Sequence, residues 1–147
     1  MPIITGPFYD AIVVDEENHV IAVVEVKTHP PANWTSTVQR LLARFDRPVA
    51  FVLMVDLDTI QLYQSEGTKL EEPIARLDTM HILSHYDPQL SNKRLFDSYL
   101  LTLVEAWLRD LAYHWKSANP PGAEELKGTG LLEKLEGGTT VRFPIET

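Results

Sequence analysis

The chain has 147 residues, no cysteine and a formal net charge of −8, with 44% apolar and 23% charged residues. This length suits one compact domain, and the lack of cysteine excludes a disulfide framework, a thiolate zinc site and a cysteine nucleophile. The N-terminus lacks the basic region of a signal peptide, and the longest apolar run, at 49–55, is far shorter than the ~20 residues that cross a bilayer. We therefore expect a cytoplasmic protein that does not enter the membrane.

The first half of the chain predicts a hairpin, a helix and two further strands. Runs of β-branched residues at 10–15 and 20–27 flank a short polar turn, as is typical of a β-hairpin. Residues 35–46 carry a single apolar stripe at helical spacing. The apolar run at 49–55 predicts a strand buried on both faces, and the alternation at 59–64 predicts its partner.

The second half predicts one long helix with mixed structure on either side. Residues 65–92 contain several turn signals, and residues 93–115 carry the strongest helical periodicity of the chain. A short helix near 123–135 and a strand near 139–143 follow. The resulting order β-β-α-β-β-α predicts an α/β fold, in which a mixed β-sheet is flanked by helices.

We divide the chain into a core domain, residues 1–116, and a C-terminal extension, residues 117–147. The extension contains Gly128, Gly130 and a glycine pair near its end. We expect this extension to be mobile or to contribute to dimerisation.

The first hairpin brings two acidic residues into register. If its turn is centred on Glu17 and Asn18, Asp10 lies directly opposite Glu25, with Cβ atoms ~4.5–5.5 Å apart. Alternation along a strand then places Lys27 on the same face as Glu25. The predicted pairs are Asp10 with Glu25, Ile12 with Val23, Val14 with Ile21, and Asp15 with Val20.

This arrangement predicts a metal site. The apolar members of these pairs continue the same face, so the two carboxylates should be partly desolvated, and like charges opposite each other destabilise a sheet. A divalent cation offsets that cost, and hard oxygen ligands suit Mg²⁺, with Mn²⁺ as an alternative. The predicted metal ligands are Asp10, Glu25 and the carbonyl of Val26. Lys27 offsets part of the charge and either orients a water molecule or stabilises the transition state.

The string PFYDAIVVDEENHVIAVVEVKTH resembles the PD-(D/E)XK nuclease superfamily, which has the restriction-endonuclease-like fold. Asp10 takes the place of the first acid of the motif, and Glu25-Val26-Lys27 reads as E-x-K. With the elements up to residue 64, the closest resemblance is to the amino-terminal nuclease domain of type I restriction subunits. It implies Mg²⁺-dependent hydrolysis of phosphodiester bonds. Gln39 matches a polar residue on the following helix that often reaches the catalytic site in such families.

The chain departs from this family at its beginning. The motif proline is displaced to Pro7, and only nine residues precede Asp10, whereas the family fold usually has an earlier helix that bears a glutamate. Three readings stay open: the helix is dispensable, the 93–115 helix substitutes for it with Glu105 or Asp97, or the chain is a degenerate member.

Charge is unevenly distributed along the chain. Residues 1–26 have a net charge of −5, residues 27–47 of +3 and residues 48–147 of −6, which together give −8. A single short basic stretch excludes the wide basic surface that long duplex DNA requires.

The basic stretch still offers a contact with nucleic acid. Arg40, Arg44 and Arg47 are spaced i, i+4, i+7, the spacing of residues that share a helix face, and they resemble a backbone-phosphate patch. We therefore expect a nucleic-acid partner, with DNA favoured over RNA.

Two alternatives to an independent enzyme stay open. The chain is a catalytically inactive binding or scaffold module that keeps the fold, or it acts within a homodimer or larger complex that assembles through the apolar 93–115 helix. In the second case a partner supplies the basic surface.

Overall fold

A computed structural model describes residues 9–65 and 67–143 and shows one mixed six-stranded β-sheet with helices on both faces. The α/β class expected from the order of elements is therefore confirmed, while the restriction-endonuclease-like assignment stays a prediction. The strands are β1 (Ala11–Val14), β2 (Val20–Val26), β3 (Phe51–Val55), β4 (Thr59–Gln64), β5 (Ala75–Asp78) and β6 (Thr139–Arg142). The helices are α1 (Trp34–Leu42), α2 (Thr79–Leu83), α3 (Asp97–Tyr113), α4 (Ala123–Leu126) and α5 (Leu131–Leu135), with a 3₁₀ turn at Leu90–Asn92.

The strand order across the sheet is β5-β4-β3-β2-β1-β6. Only β2 and β3 are parallel, and α1 lies on the crossover that a parallel connection requires. All other neighbouring strands are antiparallel. The hairpin of β1 and β2 therefore lies inside the sheet, between β3 and β6.

Alternation along the strands divides the core into two layers. Val23, Val52 and Met54 face α1 and pack with Val38 and Leu41. The opposite faces of the same strands pack against the larger layer formed by α2 to α5, which we call the α3 layer. Most of this second layer is built around α3, whose buried apolar residues are Leu100, Leu101, Leu103, Val104, Trp107, Leu108, Leu111 and Ala112.

The hairpin register is confirmed at its open end and wrong at its turn. Ile12 pairs with Val23 as predicted, but Val14 pairs with Val20, and the amide of Asp15 donates to the His19 carbonyl. A bulge therefore falls at Ile21, which joins the α3 layer and not the face of Glu25. The cause is the turn itself, because Asn18 adopts a left-handed conformation with φ of 65° and closes a three-residue loop.

Both amphipathic helices are shorter than predicted. The predicted 35–46 helix ends at Leu42, where the hydrogen bonds tighten to i→i+3 and Phe45 packs toward the α1 core. The predicted 93–115 helix ends at Tyr113, because His114 takes the left-handed conformation that caps a helix. The buried Asp110 carboxylate stabilises this end by accepting the amides of residues 116 and 117.

The region 65–92, predicted only as mixed structure, contains β5, α2 and the 3₁₀ turn. Strand β5 is an edge strand that pairs with β4, and its last residue, Asp78, caps α2 by accepting the amides of Met80 and His81. A carboxylate at this position satisfies backbone donors that a helix start leaves unpaired.

The C-terminal extension adds a strand and part of the core. Strand β6 pairs with β1, and Leu126, Leu131 and Leu135 are fully buried in the α3 layer. The predicted helix at 123–135 is divided into α4 and α5 at Gly130, which has a φ of 89°. Residues 1–8 and 144–147, which include the displaced Pro7 of the motif, lie outside the described residues.

No helix in the described part of the chain combines the length and the apolar character needed to cross a bilayer.

Candidate functional site

Asp10 lies at the open end of the hairpin, immediately before β1. Its Oδ2 atom accepts a hydrogen bond from the Val26 amide at 2.8 Å and from Lys27 Nζ at 2.9 Å. One carboxylate oxygen thus joins the ends of two neighbouring strand segments. In the described part of the chain, no donor contacts the other oxygen, Oδ1, which leaves it available to a ligand.

Glu25 approaches Asp10 from β2. Its Oε2 atom accepts the backbone amide of Asp10 at 2.9 Å. The side chain is only 7% exposed, since it lies between β1 and β3 in register with Met54. Burial, and then the negative charge of Asp10, raise the pKa of Glu25 to about 7.

Lys27 is the positively charged residue beside Asp10 and Glu25, and we call these three residues the acidic cluster. The Lys27 ammonium group is half-buried beside Asp10. Desolvation acts to lower its pKa, but the hydrogen bond to Asp10 and the charges of Asp10, Glu25 and Asp97 outweigh it, so the pKa of Lys27 is raised. Lys27 therefore stays protonated at neutral pH. It serves as a hydrogen-bond donor and a positive charge, and it is unsuited to act as a general base.

The Val26 carbonyl points toward Asp10. In an extended strand the N–H and C=O groups of one residue point to the same edge, and the Val26 N–H donates to Asp10. The carbonyl oxygen therefore points to the same edge of β2 as this N–H group, toward the segment that contains Asp10. The side chain of Val26 points the other way, into the α3 layer.

A cavity of about 320 Å³ opens beside this cluster, on the α3 side of the sheet. Asp10 belongs to both the acidic cluster and the cavity wall, whereas Glu25 and Lys27 do not line the cavity. The lining residues are Tyr9, Asp10, Val26, Asp97, Ser98, Leu101, Arg142 and Phe143. A larger cavity of about 510 Å³, beside Tyr113 and Glu133, lies at the opposite end of α3 from these acids.

Of the two acids on α3 considered as substitutes for the missing helix, the structure brings only Asp97 to the cavity. Its Oδ1 atom accepts the Thr28 amide and hydroxyl, each at 2.7 Å, and this ties the first turn of α3 to the end of β2. Glu105 instead pairs with Arg142 and bonds Thr140 on β6.

Gln39 does not join the cluster. It is on α1, and its Oε1 atom accepts the Leu70 amide at 3.0 Å, so it connects the helix to the loop after β4. This hydrogen bond explains the position of the Gln39 side chain, and no role beside Asp10 is needed to explain it.

The three arginines do not form the predicted patch. Arg44 and Arg47 lie beyond the end of α1, so the i, i+4, i+7 spacing no longer describes one helix face. Arg47 lines a cavity with Asn18 and His19 at the turn of the hairpin, the opposite end of β2 from Lys27. At ~3.3 Å per strand residue, that places it roughly 20 Å away from the acidic cluster.

Arg142 is the site residue that the sequence alone did not indicate. It comes from the C-terminal strand β6, where it pairs with Ala11, next to Asp10. Its contact with the site depends on a pairing between distant segments, which no local pattern reveals.

The donor set fits a hard divalent cation. Two carboxylates and a backbone carbonyl offer the oxygen ligands that Mg²⁺ prefers. Burial, and then the negative charge of Asp10, raise the pKa of Glu25, and a bound cation would offset both effects. Within residues 9–65 and 67–143, no three acidic or histidine side chains form a metal-ligand cluster, so Asp97 is not counted as a ligand.

Comparison of the chain with protein-family models, with curated proteins and with solved structures finds no match.

Proposed function

We propose that the chain is a nuclease-like protein of the PD-(D/E)XK type that hydrolyses nucleic-acid phosphodiester bonds with the help of Mg²⁺. The observation that carries this proposal is the junction of Asp10 with Glu25, Val26 and Lys27 at one end of the hairpin. The cost of holding a buried carboxylate beside a second acid supports a functional role, because perturbed pKa values cluster at functional sites.

Each residue of the acidic cluster has a separate role in this proposal. Asp10 and Glu25, with the Val26 carbonyl, would hold Mg²⁺ through their oxygen atoms. When bound, Mg²⁺ neutralises phosphate charge and lowers the pKa of a coordinated water. Lys27, which stays protonated, donates a hydrogen bond to the attacking water or to the phosphate and stabilises the negative charge that develops there.

The second candidate is a binding or scaffold module that keeps the fold without the chemistry. It is favoured by one observation: Asp10 Oδ2 and Glu25 Oε2 already accept hydrogen bonds within the chain. A cluster that is satisfied internally stabilises the open end of the hairpin even if no metal binds. The acidic charge of the chain also favours action beside a partner that supplies a basic surface.

We further propose a nucleic-acid partner, with DNA favoured over RNA, and a cytoplasmic location in keeping with the lack of cysteine. A homodimer or larger complex would have to use the exposed ends of the predicted 93–115 helix, such as Phe96 and Trp115. The apolar face of α3 between them is buried in this chain's own core.

A cleavage assay tests the proposed activity. Labelled single-stranded and duplex oligonucleotides are incubated with the protein in Mg²⁺ or in chelator, and products are separated by electrophoresis. We expect Mg²⁺-dependent cleavage by the natural sequence and none by Asp10→Ala or Lys27→Ala, with circular dichroism showing that both variants remain folded.

The matched control is Lys127→Ala, since Lys127 Nζ lies 2.9 Å from Glu124, as Lys27 Nζ does from Asp10. We expect this variant to cleave normally, because its ion pair is exposed on α4, away from the acidic cluster. Equal residual cleavage in all four proteins would contradict the nuclease proposal and favour the module.

A further inference from the structure

Two cavities meet at the first turn of α3. One is the cavity of about 320 Å³ beside Asp10, and the other, of about 420 Å³, is bounded by Thr28, His29 and Phe96. Both are lined by Asp97 and Ser98, so the two cavities lie next to each other, and we call them together the α3 groove. The groove passes Asp10 and is thus connected to the acidic cluster.

An exposed aromatic ring stands at one end of the α3 groove. Phe96 immediately precedes α3 and is 60% exposed, the highest value among the large apolar side chains of the described residues. The guanidinium carbon of Arg94 lies 5.5 Å from its ring centroid. Exposed aromatic rings next to arginine are the platforms on which unpaired bases stack in proteins that bind single strands.

A fixed guanidinium group stands at the other end of the α3 groove. Arg142 Nε donates to the Glu105 carboxylate at 2.6 Å, and Nη2 donates to the Thr102 hydroxyl at 2.7 Å. Glu105 is itself buried, so the guanidinium is held in place, while the Arg142 side chain stays about half exposed. In the described part of the chain, its Nη1 atom has no acceptor and is free to donate to a phosphate.

We propose that the substrate of the acidic cluster is a single-stranded nucleic acid that lies in the α3 groove. Arg142 binds a phosphate, and Phe96, supported by Arg94, stacks on a neighbouring unpaired base. A duplex keeps its bases stacked inside, where Phe96 cannot reach them. This inference rests on the proposed nuclease function and adds the class of substrate to it.

Charge in the groove favours a short contact with one strand. Asp10 and Asp97 repel phosphates. Arg94 and Arg142, which line the groove, oppose that repulsion, as does Lys27 through its ion pair with Asp10. With a net charge of −8, the rest of the chain offers little further attraction to a duplex backbone. Stacking is independent of net charge, and it therefore supplies a large share of the affinity.

Binding is measured by fluorescence anisotropy with a labelled single-stranded oligonucleotide and with the same sequence as a duplex, in chelator at low ionic strength. The single strand is tested both as DNA and as RNA, to show which of the two binds more tightly. We expect the single strand to bind more tightly than the duplex. Phe96→Ala should weaken single-strand binding about tenfold, and Phe96→Trp should preserve it.

Two matched controls accompany these variants. Ile74→Ala removes another exposed apolar side chain, and Arg76→Gln removes an exposed arginine from β5, the opposite edge of the sheet from Arg142. We expect neither to change binding, whereas Arg142→Gln weakens it and reduces its dependence on salt. Duplex binding as tight as single-strand binding, no binding to either, or equal effects of Phe96→Ala and Ile74→Ala would overturn the inference.

Because binding is read without metal, its failure is distinguishable from failure of the nuclease proposal. Loss of single-strand binding in Phe96→Ala, together with no effect of Asp10→Ala on cleavage, would retain the groove and reject the nuclease. Cleavage that depends on Asp10 but prefers duplex would retain the nuclease proposal and reject the single-stranded substrate.

Discussion

Replacement of Glu25 by glutamine is expected to stabilise the metal-free protein at alkaline pH. The carboxyl group has a pKa of about 7 in the fold against an ordinary value of 4.5, with burial as the main cause. Between these pH values the folded state keeps a proton that the unfolded chain has lost. The unfolding free energy therefore has its full value, as far as Glu25 is concerned, below about pH 4.5, and it falls as the pH rises toward 7.

The size of the effect follows from these two pKa values. Their difference, 7 − 4.5 = 2.5, at about 1.4 kcal/mol for each pH unit, corresponds to about 3 kcal/mol of unfolding free energy. Glutamine is neutral and keeps an oxygen for the Asp10 amide. Glu25→Gln should therefore match the natural sequence near pH 4.5 and exceed its stability by up to about 3 kcal/mol at about pH 8.

Urea denaturation in chelator over this pH range measures the effect. The matched control is Glu125→Gln, which changes an exposed glutamate on α4 and should leave the pH dependence unchanged. With Mg²⁺ present at 100 times its dissociation constant, the natural sequence should gain about 2.7 kcal/mol at alkaline pH, and Glu25→Gln should gain little. A Glu25→Gln variant that is as pH-dependent as the natural sequence, or less stable at alkaline pH, would contradict this prediction.

Two further predictions concern the packing of the C-terminal extension. Gly122→Ala should cost about 2–5 kcal/mol of stability, because φ is 83° and the new methyl group would lie 2.9 Å from Leu77 Cδ2. Gly128→Ala, with a similar φ of 84° but open space around it, should cost only about 1–2 kcal/mol, and equal losses in urea denaturation would argue against the packing contribution. Leu135→Ala should cost about 2–5 kcal/mol in one cooperative transition by both circular dichroism and tryptophan fluorescence, since Leu135 is fully buried in the α3 layer. Separate transitions would show that the extension unfolds independently.

Alternation along the strands predicted which residues share a face, and the predicted register at the open end of the hairpin correctly brings Asp10 to Glu25. The turn was misplaced, and the bulge restores the predicted pairing from Val13 onward. The bulge at Ile21 was not predicted, because it depends on Asn18 taking a left-handed conformation, and the sequence allowed a two-residue centre equally well.

Contacts between distant segments could not be predicted from local sequence patterns. A strand near 139–143 was predicted, but its pairing with β1, which brings Arg142 to the cavity, was not. The arginine patch failed for a related reason. Its spacing assumed a helix that continued as far as Arg47, whereas α1 ends at Leu42 and Phe45 packs against the core beside α1.

We propose that Asp10 and Glu25 share one divalent ion beside Lys27. Calorimetric titration of Mg²⁺ and Mn²⁺ into the folded protein near pH 8 tests it directly, with Asp10→Ala, Glu25→Gln and the Lys127→Ala control measured alongside. We predict a single site in the natural sequence and in Lys127→Ala, and its loss in each of the other two. Absence of binding to the natural sequence, or binding that survives both acidic-site substitutions, would show that Asp10 and Glu25 do not share a divalent ion.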